Sequence, residues 1–515
     1  MERSREAYWL RYPATSPQKL RWRAVAVRHC FHVLPGETIL EVGTGTGLWT
    51  QHLAEVLQYQ NPIVAVVFNR DYADTLTQKN IPGVRVHLSD DLSELPSESF
   101  DYVVGTAILC HNLYSQNLRE IRRLLKPGGQ ILFFEANHWN PQVFAKNAIP
   151  AVGRWAGQPE CQAPMRKYQL MKEASWQGYT NLEIVPFDIV HPRIPGKLVR
   201  FLQSAAYIVE HAPVFKEFCG TLYIWGKKPG DSSRRQPVNL AVHKQLYDST
   251  SVVVPCHNEE MNIPGLIANL LGYYGPYIRE ILIVNDNSKD RTAEVTQAIA
   301  ETNPRVKLIN RRPPNGVGLA LRDGYAAAQG RYVLSMDSDF VHIMPEFRDL
   351  FDAVARGSDG AIGSRFSYDS MLVNYPFLKI LANRGFHVLA NLVLRLPFRV
   401  RDVTNNLKLY RAEILKAIEL EQPHFAANAE TGLKPVLAGY SIEEVPISWI
   451  NRDLDMGQST FKVAAVAPGY VKALFAVILK GRSSNKHGVA RRSLPRLDAA
   501  QESQSCNRNA IRSPR

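Results

Sequence analysis

Two short segments of this chain each carry an apolar run straight into a turn suited to close ligand approach. Glu41-Val-Gly-Thr-Gly-Thr-Gly47 follows an acidic residue with glycine at every second position. Without a Cβ, such a turn lets backbone come against a ligand. Far along the chain, Val252-Val-Val-Pro-Cys-His-Asn-Glu-Glu260, Ile283-Val-Asn-Asp-Asn-Ser288 and Met336-Asp-Ser-Asp339 end further apolar runs in polar or acidic turns. Apolar runs alternating with helical stretches restrict both regions to layered α/β folds, which bind ligands at the carboxyl ends of strands. Two such regions demand two sheets. A length of 515 residues with 45% hydrophobic content supplies two cores.

Candidate strands of the first region are 38–42, 63–68, 84–88, 102–106 and 130–135, with 221–225 as a late edge strand. Residues 226–239 (GKKPGDSSRRQPVN) are polar and rich in Pro, Gly and charge, the composition of a linker. A second alternating region runs from 251 to about 462. The division is therefore a first domain at 1–229, a linker at 230–247, a second domain at 248–462, and a short amphipathic segment with a basic disordered tail at 463–515. No internal repeat relates the two halves.

Cys30, Cys110, Cys161, Cys219, Cys256 and Cys506 are scattered, without a CxxC pair or His/Cys metal spacing, which favours a reducing compartment. The first residues lack the apolar core of a signal peptide. No segment approaches the roughly 20 apolar residues of a membrane span. The expectation is a soluble or peripheral protein, cytoplasmic or on the inner face of a membrane. The formal charge of +13 sits unevenly: residues 481–515 hold eight Lys/Arg against two Asp/Glu, and residues 1–30 seven against two. Such ends are solvated or touch anionic lipid. They lack interleaved aromatics, so nucleic acid is not an expected partner.

Leu48 occupies the place where the dinucleotide pattern GxGxxG needs its last glycine, which removes the nicotinamide reading of the first motif. The loop resembles the (D/E)xGxGxG element of class I S-adenosylmethionine-dependent methyltransferases. Asp91-Leu-Ser-Glu-Leu-Pro96, Phe100-Asp-Tyr-Val-Val104, His111 and Leu125-Lys-Pro-Gly-Gly129 follow in that family's order, so the resemblance covers roughly residues 20–228. It implies that Glu41, Gly43, Gly45 and Gly47 surround the methionine part of S-adenosylmethionine, and that Asp91 and Leu92 flank its adenine. The acid the family usually places for the ribose, near Val67, is missing; Asn69 and Asp71 are the nearest substitutes. His111 is either a helix-end histidine or a base for the acceptor.

In the second region, Asp337 and Asp339 stand at i and i+2 just past an apolar run. Transfer from a nucleoside diphosphate sugar needs the leaving diphosphate neutralised, usually by a divalent cation on carboxylates. Taken alone, such a pair is more often a solvated turn. With Asn315-Gly-Val-Gly-Leu-Ala320, Gly363-Ser-Arg365, Arg401-Asp-Val-Thr404, Glu430 and Arg452, the ordered motifs resemble family 2 glycosyltransferases of GT-A fold, nearest the polyprenyl-phosphate (dolichol-phosphate) mannosyltransferases, over residues 248–462. By that resemblance Pro255, Asn258, Glu259 and Asp286 hold the nucleoside, and Asp337 and Asp339 hold Mg²⁺ or Mn²⁺. Arg365, Arg384 and Arg452 contact phosphate, and Glu430 is a candidate base. Asn285 and Val341 depart from the family pattern. Residues 375–396 carry apolar side chains at near-helical spacing with Lys379, Arg384 and Arg395 among them. They suit either a membrane interface that admits a lipid phosphate or a helix packed on the sheet.

The expectation is two tandem α/β domains, a doubly wound methyltransferase sheet followed by a GT-A sheet. The predicted activity is transfer of a hexose from a nucleoside diphosphate sugar to a polyprenyl phosphate or related lipid. Methylation of a linked glycan, lipid or metabolite would accompany it. The alternative is a glycosyltransferase acting on a soluble acceptor beside a non-catalytic methyltransferase domain.

Overall fold

A computed structural model describes residues 2–109, 114–149, 151, 164–190, 193–230, 236–394, 400–450 and 463–484. Strands β1 (Ile39–Val42), β2 (Ile63–Val67), β3 (Val84–Leu88), β4 (Phe100–Thr106), β5 (Leu125–Ala136), β6 (Thr180–Phe187) and β7 (Thr221–Lys227) form a seven-stranded sheet in the order 3-2-1-4-5-7-6. β1 to β5 are mutually parallel, while β7 runs antiparallel to both β5 and β6. The central strands are apolar on both faces because helices cover both faces. One expectation changes here. The 221–225 segment is not an edge; β7 lies inside the sheet and β6 forms its rim. β6 escaped notice because Thr180-Asn-Leu-Glu begins polar and Pro186 interrupts the alternation.

The second sheet joins β8 (Thr250–Cys256), β9 (Ile278–Asn285), β10 (Val306–Asn310), β11 (Tyr332–Ser335), β12 (Gly360–Ser364), β14 (Lys408–Arg411) and β15 (Ile442–Pro446) in the order 10-9-8-11-14-12-15. β14 is antiparallel to β11 and β12. β13 (Met371–Val373) and β16 (Ser448–Ile450) pair separately in parallel. Two tandem α/β layers are thus observed. Part of the expected linker is core instead: Leu240, Ala241 and Leu246 are buried with Tyr273, Tyr277 and Phe351. The expected short amphipathic segment begins as a 22-residue helix, Val463–Ser484, whose Ala473, Leu474 and Val477 are buried in the second domain. Residues 485–515, which include most of the basic tail, lie outside the described residues.

Two helices precede β1, Glu2–Arg11 and Ser16–Phe31. The second is the main seam between the domains. His29 Nδ1 and His32 Nδ1 lie 2.7 and 3.1 Å from Glu346 Oε1, and Ser448 N donates to Oε2 at 2.7 Å. Burial opposes the Glu346 charge, yet the two histidines hold its carboxyl well below the usual range. Arg28 pairs with Asp349 beside this cluster.

Candidate active sites

The first glycine loop forms as its composition requires. Gly43, Gly45 and Gly47 have φ of +66°, +67° and +78°, a region that costs a residue with Cβ. A Cβ on Gly47 would also collide with Leu76 Cδ1. Glu41, the penultimate residue of β1, is buried. This cradle suits the methionine end of S-adenosylmethionine.

The surroundings suit it less well. Asn69 caps helix Arg70–Gln78, its Oδ1 accepting from Asp71 N at 2.9 Å, so that oxygen is engaged where a ribose acid is expected. Asp91 folds onto its own turn, with Oδ1 accepting from Ser93 N at 2.8 Å and Oδ2 from Ser93 Oγ at 2.6 Å. The Ser93 hydroxyl and amide hold its carboxyl below the ordinary value. Leu92 opens the same 3-10 turn.

The N-terminal helix lies across the loop, which no sequence motif announced. Glu6 is buried, takes a short hydrogen bond from Thr46 Oγ1, and holds its Oε2 2.6 Å from where a Gly45 Cβ would stand. Glu6 and Trp9 leave a cavity of about 20 Å³ against Glu41, Thr44 and Trp49. That is room for a water, not a nucleoside. His111 lies outside the described residues. Nearby, buried Glu135 accepts from Ile108 N at 2.8 Å and Leu109 N at 2.9 Å, fixing the backbone just past β4.

In the second domain, β8, β9 and β11 deliver their carboxyl ends to one edge. Asn258 has φ +60° and accepts from Lys289 N at 2.8 Å, while Glu259 N donates to Thr292 Oγ1 at 2.8 Å. Pro255 stands at the end of β8. These contacts lace the two turns together. Asp286 is buried, ion-paired with Arg311, and accepts from Gly316 N at 2.6 Å. It braces the 311–316 segment. Arg311 and Gly316 had no assigned role; a buried acid at a strand end is the signal that asks for such partners.

Asp337 and Asp339 follow β11, half-buried, and Asn406 Nδ2 donates to Asp337 Oδ1 at 2.8 Å. Among the described residues no group of three or more His, Cys, Asp or Glu side chains is placed to hold a metal ion. Two carboxylates completed by substrate phosphate oxygens and water nevertheless form an ordinary Mg²⁺ environment, so this donor set fits.

Three candidates stand in unexpected surroundings. Arg365 makes a fork with Asp402, Nε to Oδ2 at 2.7 Å and Nη2 to Oδ1 at 2.9 Å, and Nη1 donates to Tyr375 Oη at 3.1 Å. Burial alone would raise the Asp402 pKa, but the guanidinium pulls it far below the carboxylate range. The fork turns Arg365 toward protein. Glu430 is fully buried, with Oε2 accepting from Glu421 N and Gln422 N at 2.9 and 2.8 Å and Oε1 from Lys434 Nζ at 2.8 Å. Its carboxylate holds the 421–422 backbone rather than standing open as a base. Arg384 is partly exposed, donates Nη1 to Arg401 O at 3.0 Å, and stacks 4.8 Å over Phe366. Arg452 lies outside the described residues. Lys408, unread in the sequence, is buried behind the acidic pair; burial lowers its pKa to about 7, and its Nζ donates to Asn428 O and Thr431 Oγ1 at 2.7 Å.

A glycine cradle thus follows β1 of the first sheet, and an acidic pair follows β11 of the second. The profile described as "Methyltransferase domain" matches residues 40–133, and that of "Glycosyl transferase family 2" matches residues 251–418. The two profiles thus fall one on each sheet, a methyltransferase model on the first and a family 2 glycosyltransferase model on the second. It is 29% identical over 252 residues to polyprenol monophosphomannose synthase of Mycolicibacterium smegmatis, covering 47% of this chain and 91% of that protein. It is 30% identical over 200 residues to dolichol-phosphate mannosyltransferase of Pyrococcus furiosus, covering 39% of this chain and 56% of that protein. A solved S-adenosylmethionine-dependent methyltransferase of Thermotoga maritima aligns at 19% identity and TM-score 0.30, covering 43% of this chain and 93% of that one.

Proposed function

We propose that the second domain transfers a hexose from a nucleoside diphosphate sugar to a polyprenyl phosphate or related lipid phosphate at a membrane surface. The supporting observation is that three features lie toward the side of the sheet where β11 and β12 both end. These are the half-buried Asp337 and Asp339, the Arg384 guanidinium, and an outward apolar helix, Phe377–Leu394. On that helix Leu378, Val388 and Leu392 are 70%, 66% and 74% exposed, more apolar surface than a solvated helix face normally offers. Against the expectation that no segment approaches a span, it is also, among the described residues, the one helix long and apolar enough to cross a membrane. Asn383, Arg384, His387 and Asn391 interrupt it, and it packs along Val463–Ser484, which favours lying in the interface. The relatives' names supply the acceptor class.

An acceptor phosphate oxygen attacks the anomeric carbon, the bond from that carbon to the diphosphate breaks, and the nucleoside diphosphate leaves. A divalent cation on Asp337 and Asp339 would neutralise charge on the leaving group. The acceptor is already ionised, so no base is required, in keeping with Glu430 being engaged. Pro255, Asn258 and Glu259 shape the turn for the nucleoside, and Asp286 supports it from beneath. Glu41, Gly43, Gly45, Gly47, Asp91 and Leu92 would hold S-adenosylmethionine, which supplies a methyl group for the same glycan, lipid or metabolite. Cytoplasmic residence with peripheral membrane contact follows from this reading. A second reading, a first domain without methyl transfer, is favoured by Glu6 on the loop and by the cap role of Asn69.

The test incubates purified protein with radiolabelled GDP- and UDP-sugars and a detergent-solubilised polyprenyl phosphate, with Mg²⁺, Mn²⁺ or chelator. Metal-dependent label in the lipid phase is expected. Label appearing only in soluble acceptors would refute the lipid assignment.

A further inference from the structure

Residues 366–376 join β12, which leads into Arg365, to helix Phe377–Leu394. On one side this segment packs against Arg384, the cation of the proposed acceptor site, and against Arg401 and Arg365 beside it. The Phe366 ring lies 4.8 Å beneath the Arg384 guanidinium, the Tyr368 ring lies 3.7 Å from that of Arg401, and Tyr375 Oη accepts from Arg365 at 3.1 Å. Each aromatic residue fixes where one positive charge stands.

The other side of the segment is gripped by the methyltransferase domain. Tyr207, buried on helix Gly196–His211, points its hydroxyl at Ser370 O (2.6 Å) and Ser367 O (3.0 Å). Its ring packs with Phe366, Leu372, Tyr375 and Ile380. Arg21 pairs with Asp369 at 2.9 Å, and His29 Nε2 meets Asp369 O at 2.8 Å. Met371 and Val373 are buried in the same apolar cluster as Ala24, Val25 and Tyr223 of the first domain.

We infer that the first domain clamps the acceptor wall of the second, with Tyr207 as a positioning residue for glycosyl transfer. The inference rests on the lipid-phosphate reading above. Without the grip, the two serine carbonyls lose the buried hydroxyl that holds them in place. The rings under Arg384 and Arg401 would then wander, spreading the guanidinium cluster that orients an anionic acceptor. The nucleotide turns follow β8 and β9, on the other half of the sheet from β12, so donor binding is independent of this segment. The two domains are therefore fused for geometry as well as for shared product.

The test uses the full chain with Tyr207→Phe, which removes the hydroxyl and keeps the ring, and separately Arg21→Ala at the exposed end of the grip. In Tyr207→Phe, hydrogen exchange over 366–374 should accelerate. The KM for polyprenyl phosphate should rise on the order of tenfold, as for a lost buried hydrogen bond. Both kcat and the dissociation constant for the sugar nucleotide should stay within about twofold. Arg21→Ala should move the same quantities in the same direction by less, being a surface pair. Unchanged acceptor KM in a folded Tyr207→Phe protein would overturn the inference, as would an equal loss of donor affinity. If wild type glycosylates no polyprenyl phosphate, the acceptor assignment fails by itself. The clamp is then judged on exchange alone, and unaltered exchange in Tyr207→Phe refutes it.

Discussion

His387 offers a pH test of how tightly the proposed acceptor side of the second domain is built. The residue sits fully buried on helix Phe377–Leu394, with Nδ1 2.8 Å from Asn383 O and Nε2 2.9 Å from Val403 N. Val403 N is a donor, so Nε2 must accept and the ring must be neutral, with its proton on Nδ1. Burial pushes its pKa down from 6.5 to about 4, against the pull of Asp402. The unfolded chain takes up a proton near pH 6.5, whereas the folded one resists until about pH 4. Stability from this group is therefore complete above pH 6.5 and is lost progressively as pH falls toward 4. The fall from 6.5 to about 4, at about 1.4 kcal/mol per tenfold change in acidity, makes the full loss roughly 3.5 kcal/mol. In His387→Gln, the amide oxygen still accepts from Val403 N but cannot titrate. The variant should lose roughly 1 kcal/mol at about pH 7 and then fall less steeply with acid than wild type. Hydrogen exchange of peptides spanning 400–411, at steps from about pH 7 to about pH 4.5, follows the region directly, since a two-domain chain need not unfold in one step. Parallel acid profiles for wild type and variant would refute the neutral-histidine argument.

A Cβ added at Gly45 meets Glu6 before any ligand, so Glu6→Ala is the cleaner probe of the methyl-donor site. If the carboxylate competes for the loop, calorimetry should show S-adenosylmethionine binding about tenfold tighter in the variant, because the open form becomes more populated; unchanged or weaker binding would refute the competition. Asp339→Ala should lower sugar transfer by about two orders of magnitude or more while the fold survives, and chelator should do the same to wild type. Full activity of the variant in chelator would end the metal-dependent mechanism. Leu389 and Leu392 are 40% and 74% exposed, so Leu389→Asp with Leu392→Asp should leave a folded protein that co-sediments less with anionic liposomes. Wild-type binding should also weaken as salt rises, through screening of the basic residues. A misfolded double variant, with wild type ignoring liposomes at every salt, would restore the core-helix reading of this segment.

Motif chemistry carried the sequence reading where local geometry depends on neighbours in the chain. The loop at Gly43, Gly45 and Gly47 adopts positive φ because glycine does so cheaply. Asp337 and Asp339 stand just past β11 because they directly follow its apolar run. Roles that depend on what lies opposite were not legible. Arg365 and Glu430 carry the right chemistry for phosphate and proton transfer. Whether such groups face ligand or protein depends on partners 37 and 9 residues away, Asp402 for the guanidinium and the Glu421 amide for the carboxylate.

The order of apolar runs and turn residues determined by itself that this chain builds two α/β sheets, with a glycine loop at a strand end of one and an acidic pair at a strand end of the other. Those features arise from backbone preference and from periodic burial, both local in sequence. Tertiary structure alone decided that Glu6 lies on the glycine loop, that His29 and His32 close on Glu346, and that Tyr207 holds the segment under Arg384. Each of these joins groups 40 to 317 residues apart. A contact at that range is specified by the packing of whole layers, and no local pattern of residues encodes it.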